Sequence, residues 1–517
     1  MQKKRSSSKI VIIVMFITLF ARFFGLLREI LIARYYGTSV YTDAYIIANN
    51  IPTVLFDTLG QALLTSFIPM YSTICQDKNA NRANVFTLHL IVYLLIICTI
   101  ITFAGELFAK QIVEIFASGF RGEALEITIQ FTRILFPSLF AMTLLNLFTG
   151  YLQIYQKFEL ATSVTVVGNL AIIVALVISN ILENVYFFVW GSLVGLFLQV
   201  FFLVPSVIKQ GLFRNKIRPF QYDEYVKQII PLLIPVFIGS ALNEINSIID
   251  RTMVSGIGTG AVSTLNYAYK IISLAISVIA TPLITIMYPN FSKLAAECND
   301  SQFKDSVHKC INYVLAVIIP VSSIILIYRD FLIKILFERG NFDAIASLDT
   351  SRALACYTIG LTPIAIQQVL IRVFYSKHDT VTPMINGAIC AIVNIGLDYI
   401  LINRLGCNGA AIATSVVSLV ACIILIVFLC KRRILSIIKI GSIFIKNLMA
   451  GIVMFALLWW LSKLLIKKTI ISSMNILIIS MLIIIASIMY IFMQTIVCKN
   501  KNITNKLCEI LHHKRTN

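Results

Sequence analysis

Fourteen apolar runs of about 20 residues or more punctuate this chain, and that pattern restricts its fold more than any other feature. They lie near 10–33, 44–71, 85–105, 128–153, 160–181, 185–208, 228–250, 263–290, 309–328, 350–376, 382–402, 408–430, 447–466 and 472–497. About 20 apolar residues in a helix cross the hydrocarbon of a bilayer, and a helix satisfies its own backbone hydrogen bonds there. The sequence therefore predicts an all-α polytopic membrane protein with about 14 transmembrane helices. Charged residues make up only 13% of the chain, against about a quarter in soluble domains. The net charge of +19 does not point to nucleic acid. Its basic residues fall in short clusters between runs, such as Lys209, Arg214, Lys216, Arg218 and Lys227, where they set topology. With the N-terminus inside, inner segments hold about twice as many Lys and Arg as outer ones, which predicts both termini in the cytoplasm. Lys3-Lys4-Arg5 and the run after it look like a signal peptide, but no A-x-A site follows and Arg22 interrupts the run, so an uncleaved first helix is expected.

The chain also repeats itself at an offset of about 220 residues. Pro69-Met-Tyr-Ser returns as Pro289-Asn-Phe-Ser, Arg133 as Arg352, Tyr155 as Tyr375, Lys157 as Lys377 and Thr162 as Thr382, in the same order. Equal numbers of runs in each copy imply two six-helix lobes of like topology. The expected division is 1–220 for the first lobe, 221–440 for the second, and 441–517 for two added helices and a basic cytoplasmic tail.

Charges at membrane depth are the chemical signal. A charged side chain at the bilayer centre costs roughly 2.5–3.5 kcal/mol on insertion scales, so such groups face protein or water-filled cavities. Arg22, Arg28, Glu29, Asp43 and Asp57 sit in or at the ends of the first two runs, with Arg22 and Glu29 two helical turns apart on one face. Lys270, Arg352 and Arg372 lie in later runs. Some of these cations are expected to pair with nearby acids; a surplus suits an anionic, phosphorylated ligand, because guanidinium binds phosphate oxygens bidentately. Asn394 and Asp398, one turn apart, offer oxygen ligands to a hard cation, with an interfacial Asp as the competing reading. The chain carries no nucleotide loop, nucleophile elbow or HExxH, so no cofactor is expected beyond a coupling ion. The eleven cysteines are scattered and read as packing residues. His89, His308, His378, His512 and His513 read as solvated residues near loops and tails.

Longer motifs carry a resemblance. ARFFGLLREILIARYYGTSVYTDAY, NIPTVLF, SFIPMYS, LNYAYKI, LFERGNFD (336–343), RVFYSKHDTVTPMINGAI (372–389) and GCNGAAIATS (406–415) together resemble the MviN/MurJ family. That resemblance implies a lipid II flippase of the multidrug/oligosaccharidyl-lipid/polysaccharide exporter superfamily, with fourteen helices and a groove formed with the last two. It implies that Arg22 and Arg28 are the two essential first-helix arginines, Glu29 the acid after the second, and Asp43 the acid of the TDA motif. Lys270 stands where many members have arginine, and Phe56 and Gln61 where some carry arginine and glutamate. It further implies a sodium site at Asp250, Asn394, Asp398 and Thr414.

The expected function is translocation of undecaprenyl-diphosphate-linked peptidoglycan precursor across a bacterial plasma membrane, with membrane lipids and cell-wall synthesis proteins as partners and sodium as a coupling ion. Rival readings are a flippase for another lipid-linked glycan, of capsule, teichoic or O-unit type, and a drug exporter of the same superfamily. A membrane-embedded glycosyl- or phosphotransferase would require an acid-rich loop, and the loops here hold none. A scaffold for cell-wall enzymes leaves the arginines in the apolar runs unexplained.

Overall fold

The computed structural model describes residues 7–214, 223–229, 231, 248–297, 299–465 and 473–497. Among them the secondary structure is helical, without strands. The helices are α1 (Ser7–Tyr36), α2 (Val40–Asp77), α3 (Ala80–Leu107), α4 (Ala109–Phe116), α5 (Glu123–Leu135), α6 (Ser138–Ile154), α7 (Phe158–Ile181) and α8 (Tyr186–Lys209). Then follow α9 (Ala261–Ala275), α10 (Thr281–Ala296), α11 (Asp300–Leu336), α12 (Ala344–Ser376), α13 (Val381–Leu405), α14 (Cys407–Lys431), α15 (Ile437–Leu465) and α16 (Ser473–Phe492).

Ten described helices are long and apolar enough to cross a membrane, or eleven if the bent pair α5 and α6 forms one span. This is a multi-pass membrane protein. Among the described residues the count stops short of fourteen, because the first side chains of α1, several in the middle of α2 and most of the seventh predicted run, 228–250, lie outside them. Bulky apolar side chains stand exposed along the other helices, as at Phe103, Ile359 and Ile392, which hydrocarbon would cover.

Two compact units divide the chain: Met1–Ser263 with Arg339–Asp343, and Thr264–Glu338 with Ala344–Asn517. The repeat is legible in their backbones. Asn79 caps α3 by accepting from the Arg82 amide at 2.9 Å, and Asn299 caps α11 by accepting from the Gln302 amide at 3.2 Å. Phe108 (φ −100°, ψ 19°) breaks α3 from α4, and Tyr328 (φ −102°, ψ 16°) kinks α11 at the corresponding point. The turns also match in their left-handed residues: Gln156 with His378, Glu183 with Gly406, and Gly211 with Arg433. Tyr71 and Phe291, the aromatic residues of the two Pro-x-aromatic-Ser copies, are both fully buried.

Within the first unit, Phe67, Tyr71, Phe86, Tyr151 and Leu203 anchor the core of α2, α3, α6 and α8. The LFERGNFD segment has a specific task there. Asn341 donates its backbone amide to the Arg34 carbonyl at 2.9 Å and its side-chain amide to the Tyr35 carbonyl, closing the C-terminus of α1. Gly37 (φ +58°) and Gly340 (φ +60°) permit the approach; a Cβ on Gly340 would lie 2.3 Å from the Arg34 oxygen. In the second unit, Asn447 of α15 donates to Asn312 of α11 at 2.9 Å and accepts from Gln494 at 2.9 Å, so an amide network fastens the two added helices to α11.

Candidate functional site

The first-helix arginines differ in setting. Arg28 is half-buried: Nη2 donates to Glu29 Oε1 at 2.8 Å and Nη1 to Asn169 Oδ1 of α7 at 3.1 Å. Asn169 is itself oriented, donating to the Ala21 carbonyl at 3.3 Å. Glu29 is buried, whereas Arg22, two turns earlier, is exposed. Among the described residues Arg28 Nε is buried yet has no hydrogen-bond acceptor. A guanidinium with an unsatisfied buried donor is an incomplete site for an anion.

Asp43 is placed differently. It is buried in the first turn of α2, and its two carboxylate oxygens accept from the backbone amides of Gly260 (2.6 Å) and Ser263 (2.7 Å). Those amides belong to the start of α9, so Asp43 caps the helix that carries Lys270. Lys270 is half-buried. Arg352 is exposed and paired with Asp349 one turn earlier at 3.5 Å. Arg372 is exposed over the Tyr288 ring, 5.5 Å from its centroid, and also faces Tyr375. The side chains of Phe56, Asp57 and Gln61 lie outside the described residues.

Asn394 and Asp398 come together on α13: the Asn394 amide donates to Asp398 Oδ2 at 2.8 Å, and both side chains are buried. Turned over, the same amide would present its oxygen beside the carboxylate, an oxygen set that suits a hard cation. Thr414 of α14 donates its hydroxyl to the Ala410 carbonyl at 3.0 Å, leaving an oxygen lone pair. Asp250 is half-buried on the helical stretch 248–254 of the first unit.

One cluster escaped the sequence reading. His89, expected to be solvated, is buried and paired through Nδ1 with Asp223 at 2.8 Å, and Arg82 grips the same carboxylate at 2.8 and 2.9 Å. Asp223 also accepts from the Tyr225 amide at 3.1 Å. His308 is buried as well, while His512 and His513 lie outside the described residues. An acid among the basic residues that precede the seventh run was the one signal for this clasp.

Residues 32–480 match the family model described as Lipid II flippase MurJ. This chain belongs to the MurJ lipid II flippase family. Among curated relatives, the lipid II flippase MurJ of Burkholderia cenocepacia is 28% identical over 429 residues, covering 81% of this chain and 82% of that protein. The probable lipid II flippase MurJ of Rickettsia prowazekii is 29% identical, covering 78% and 80%. A solved structure of a lipid II flippase MurJ in an inward closed conformation superposes with TM-score 0.80 at 24% identity, covering 94% of this chain and all of that one. An inward-facing multidrug resistance MATE transporter of the MOP superfamily superposes with TM-score 0.70 at 17% identity, covering 82% and 98%. These two likenesses establish the fold. Family membership makes the protein a transporter.

Proposed function

We propose that this chain flips lipid II, the undecaprenyl-diphosphate-linked peptidoglycan precursor, from the inner to the outer leaflet of a bacterial plasma membrane, with both termini in the cytoplasm. The observation that carries the site is Arg28: its geometry is fixed by Glu29 and Asn169, and its buried Nε lacks an acceptor. A diphosphate oxygen supplies that acceptor, and the low dielectric around the site strengthens the bond. Arg22 adds positive charge on the same helix, and Asp43 sets the start of the helix that bears Lys270. Alternation between inward-open and outward-open states moves the headgroup without its meeting hydrocarbon. Within the second unit, Asp398, Asn394 and Thr414 offer oxygen ligands to a sodium ion, which places a positive charge beside a buried carboxylate. Lipid-linked precursor and membrane lipids are the partners, and cell-wall synthesis proteins complete the list.

The test is rescue of a strain depleted of its lipid II flippase. The wild-type chain should rescue; Arg28→Ala should reach the membrane and fail, and Arg28→Lys should retain part of the activity. Full rescue by Arg28→Ala would remove that residue from substrate binding. A wild-type chain that fails here but moves a capsule, teichoic or O-unit lipid would transfer the reading to that glycan.

A further inference from the structure

A cavity in the first unit is built for a chemistry different from that of Arg28. It has a volume of about 850 Å³, at the upper end of the roughly 300–1,000 Å³ of small-molecule sites. The C-terminus of α1, the start of α2, and the α7–α8 turn enclose it, and Asn341 closes one side. Tyr35, Tyr41, Tyr186, Asn180, Asn184 and Asn341 give it its character. Among the described residues that line it there is no Lys, Arg or His, and Glu183 is the one charged residue. A diphosphate or carboxylate ligand is therefore disfavoured.

The walls are already organised. Tyr36 stacks on Phe188 at 5.8 Å and bonds the Ser179 hydroxyl, which donates to the Asn184 carbonyl at 2.6 Å. Asn184 Oδ1 accepts from the Tyr186 amide at 2.9 Å, which leaves its NH₂ to donate, and the Asn341 amide bonds the Tyr35 carbonyl, which leaves its oxygen to accept. Tyr41 and Tyr186 remain partly exposed, at 39% and 36%, with ring surface available. Aromatic faces beside amide donors and acceptors suit a sugar ring, whose C–H face packs on an aromatic ring while its hydroxyl and acetamido groups exchange hydrogen bonds with amides.

We propose that this pocket binds uncharged sugar rings of a glycan on the extracytoplasmic side. The side rests on the orientation given under Proposed function, since α1 and α7 end here and α2 and α8 begin here. The source is either the disaccharide of a translocated headgroup or a finished glycan strand.

The test is saturation-transfer NMR and calorimetry on the full chain in detergent, with N,N′-diacetylchitobiose as probe, the six-sugar homologue as a second probe and pyrophosphate as comparator. Saturable binding of the disaccharide is expected. Tyr41→Ala and Tyr186→Ala should each weaken it at least about 10-fold, while Tyr41→Phe, which keeps the ring, should bind as wild type; unfolding temperatures in the same detergent identify any variant that is misfolded. Equal affinity for both sugars would assign the headgroup, and affinity rising with length the strand. No saturation by either sugar in the tens of millimolar, or binding unchanged in both alanine variants, would overturn the proposal. Because soluble sugar binds without translocation, this outcome is readable whether or not the chain flips lipid II.

Discussion

Gly340 shows how one residue supports the site from a distance. It sits at φ +60°, where a Cβ would stand 2.3 Å from the Arg34 oxygen, and the next residue closes the end of α1. Left-handed backbone costs an L-residue roughly 1–2 kcal/mol, and displacing Asn341 removes a hydrogen bond worth about 1 kcal/mol. Gly340→Ala should therefore destabilise the protein by about 2–3 kcal/mol, measurable as a lower unfolding temperature in detergent, whereas Asn341→Ala should lose less. Residues were legible in the sequence when their setting made them expensive: Arg28 and Glu29 stand out because membrane depth demands a reason for charge. Their partners were not legible. Asn169 is 141 residues from Arg28, and the amides that hold Asp43 are 217 and 220 residues away. Nothing local marks Asp43 as a helix cap, because a carboxylate serves other uses equally well.

Among the elements, the clasp of α3 to the segment beginning at Asp223 makes the stability of the first unit depend on pH. Asp223 lies between membrane spans. Burial acts to raise its carboxyl, but hydrogen bonds from Arg82 and His89 outweigh burial and hold it below the usual carboxylate range. A carboxyl depressed in the folded state stabilises at all pH above its unfolded value, about 3.9, and that contribution disappears as pH falls through the folded value. Unfolding temperature in detergent should therefore fall as pH drops below about 4. Asp223→Asn should lose about 2 kcal/mol at pH 7 and show a shallower acid limb. Asp379 is the counterpart in the second unit: burial raises its carboxyl, but the Thr382 amide and hydroxyl and Arg432 hold it low. A residual acid limb should therefore remain. The helices themselves were legible because apolar length and Pro or Asn punctuation are local signals, and the repeat surfaced in the same way. The break between α5 and α6 was not, since the stretches on either side of Pro137 together have the length of one span.

For the whole molecule, charge bookkeeping bears on energetics. Of five helix cations assigned to substrate, Arg28 pairs with Glu29 and Arg352 with Asp349, so these two move through the membrane field as neutral pairs. Any net charge that crosses the field responds by about 2.3 kcal/mol per 100 mV, enough to favour inward return of the unloaded protein in an inside-negative cell. Flipping in proteoliposomes should slow when the potential is collapsed, and Asp398→Asn should weaken any sodium dependence while leaving precursor binding in detergent intact. Flipping indifferent to both would leave a precursor gradient as the sole drive. The segment Arg339–Asp343, which belongs to the first unit although the chain on either side belongs to the second, also bears on how the protein is made. While α1 to α8 are emerging from the ribosome, the last carbonyls of α1 have no Asn341 to receive, and the cavity beside them lacks one wall. The first unit cannot finish until synthesis has passed Asp343, so truncation before that point should yield an inserted but protease-sensitive first half, and the order of translation alone keeps the two halves from maturing independently.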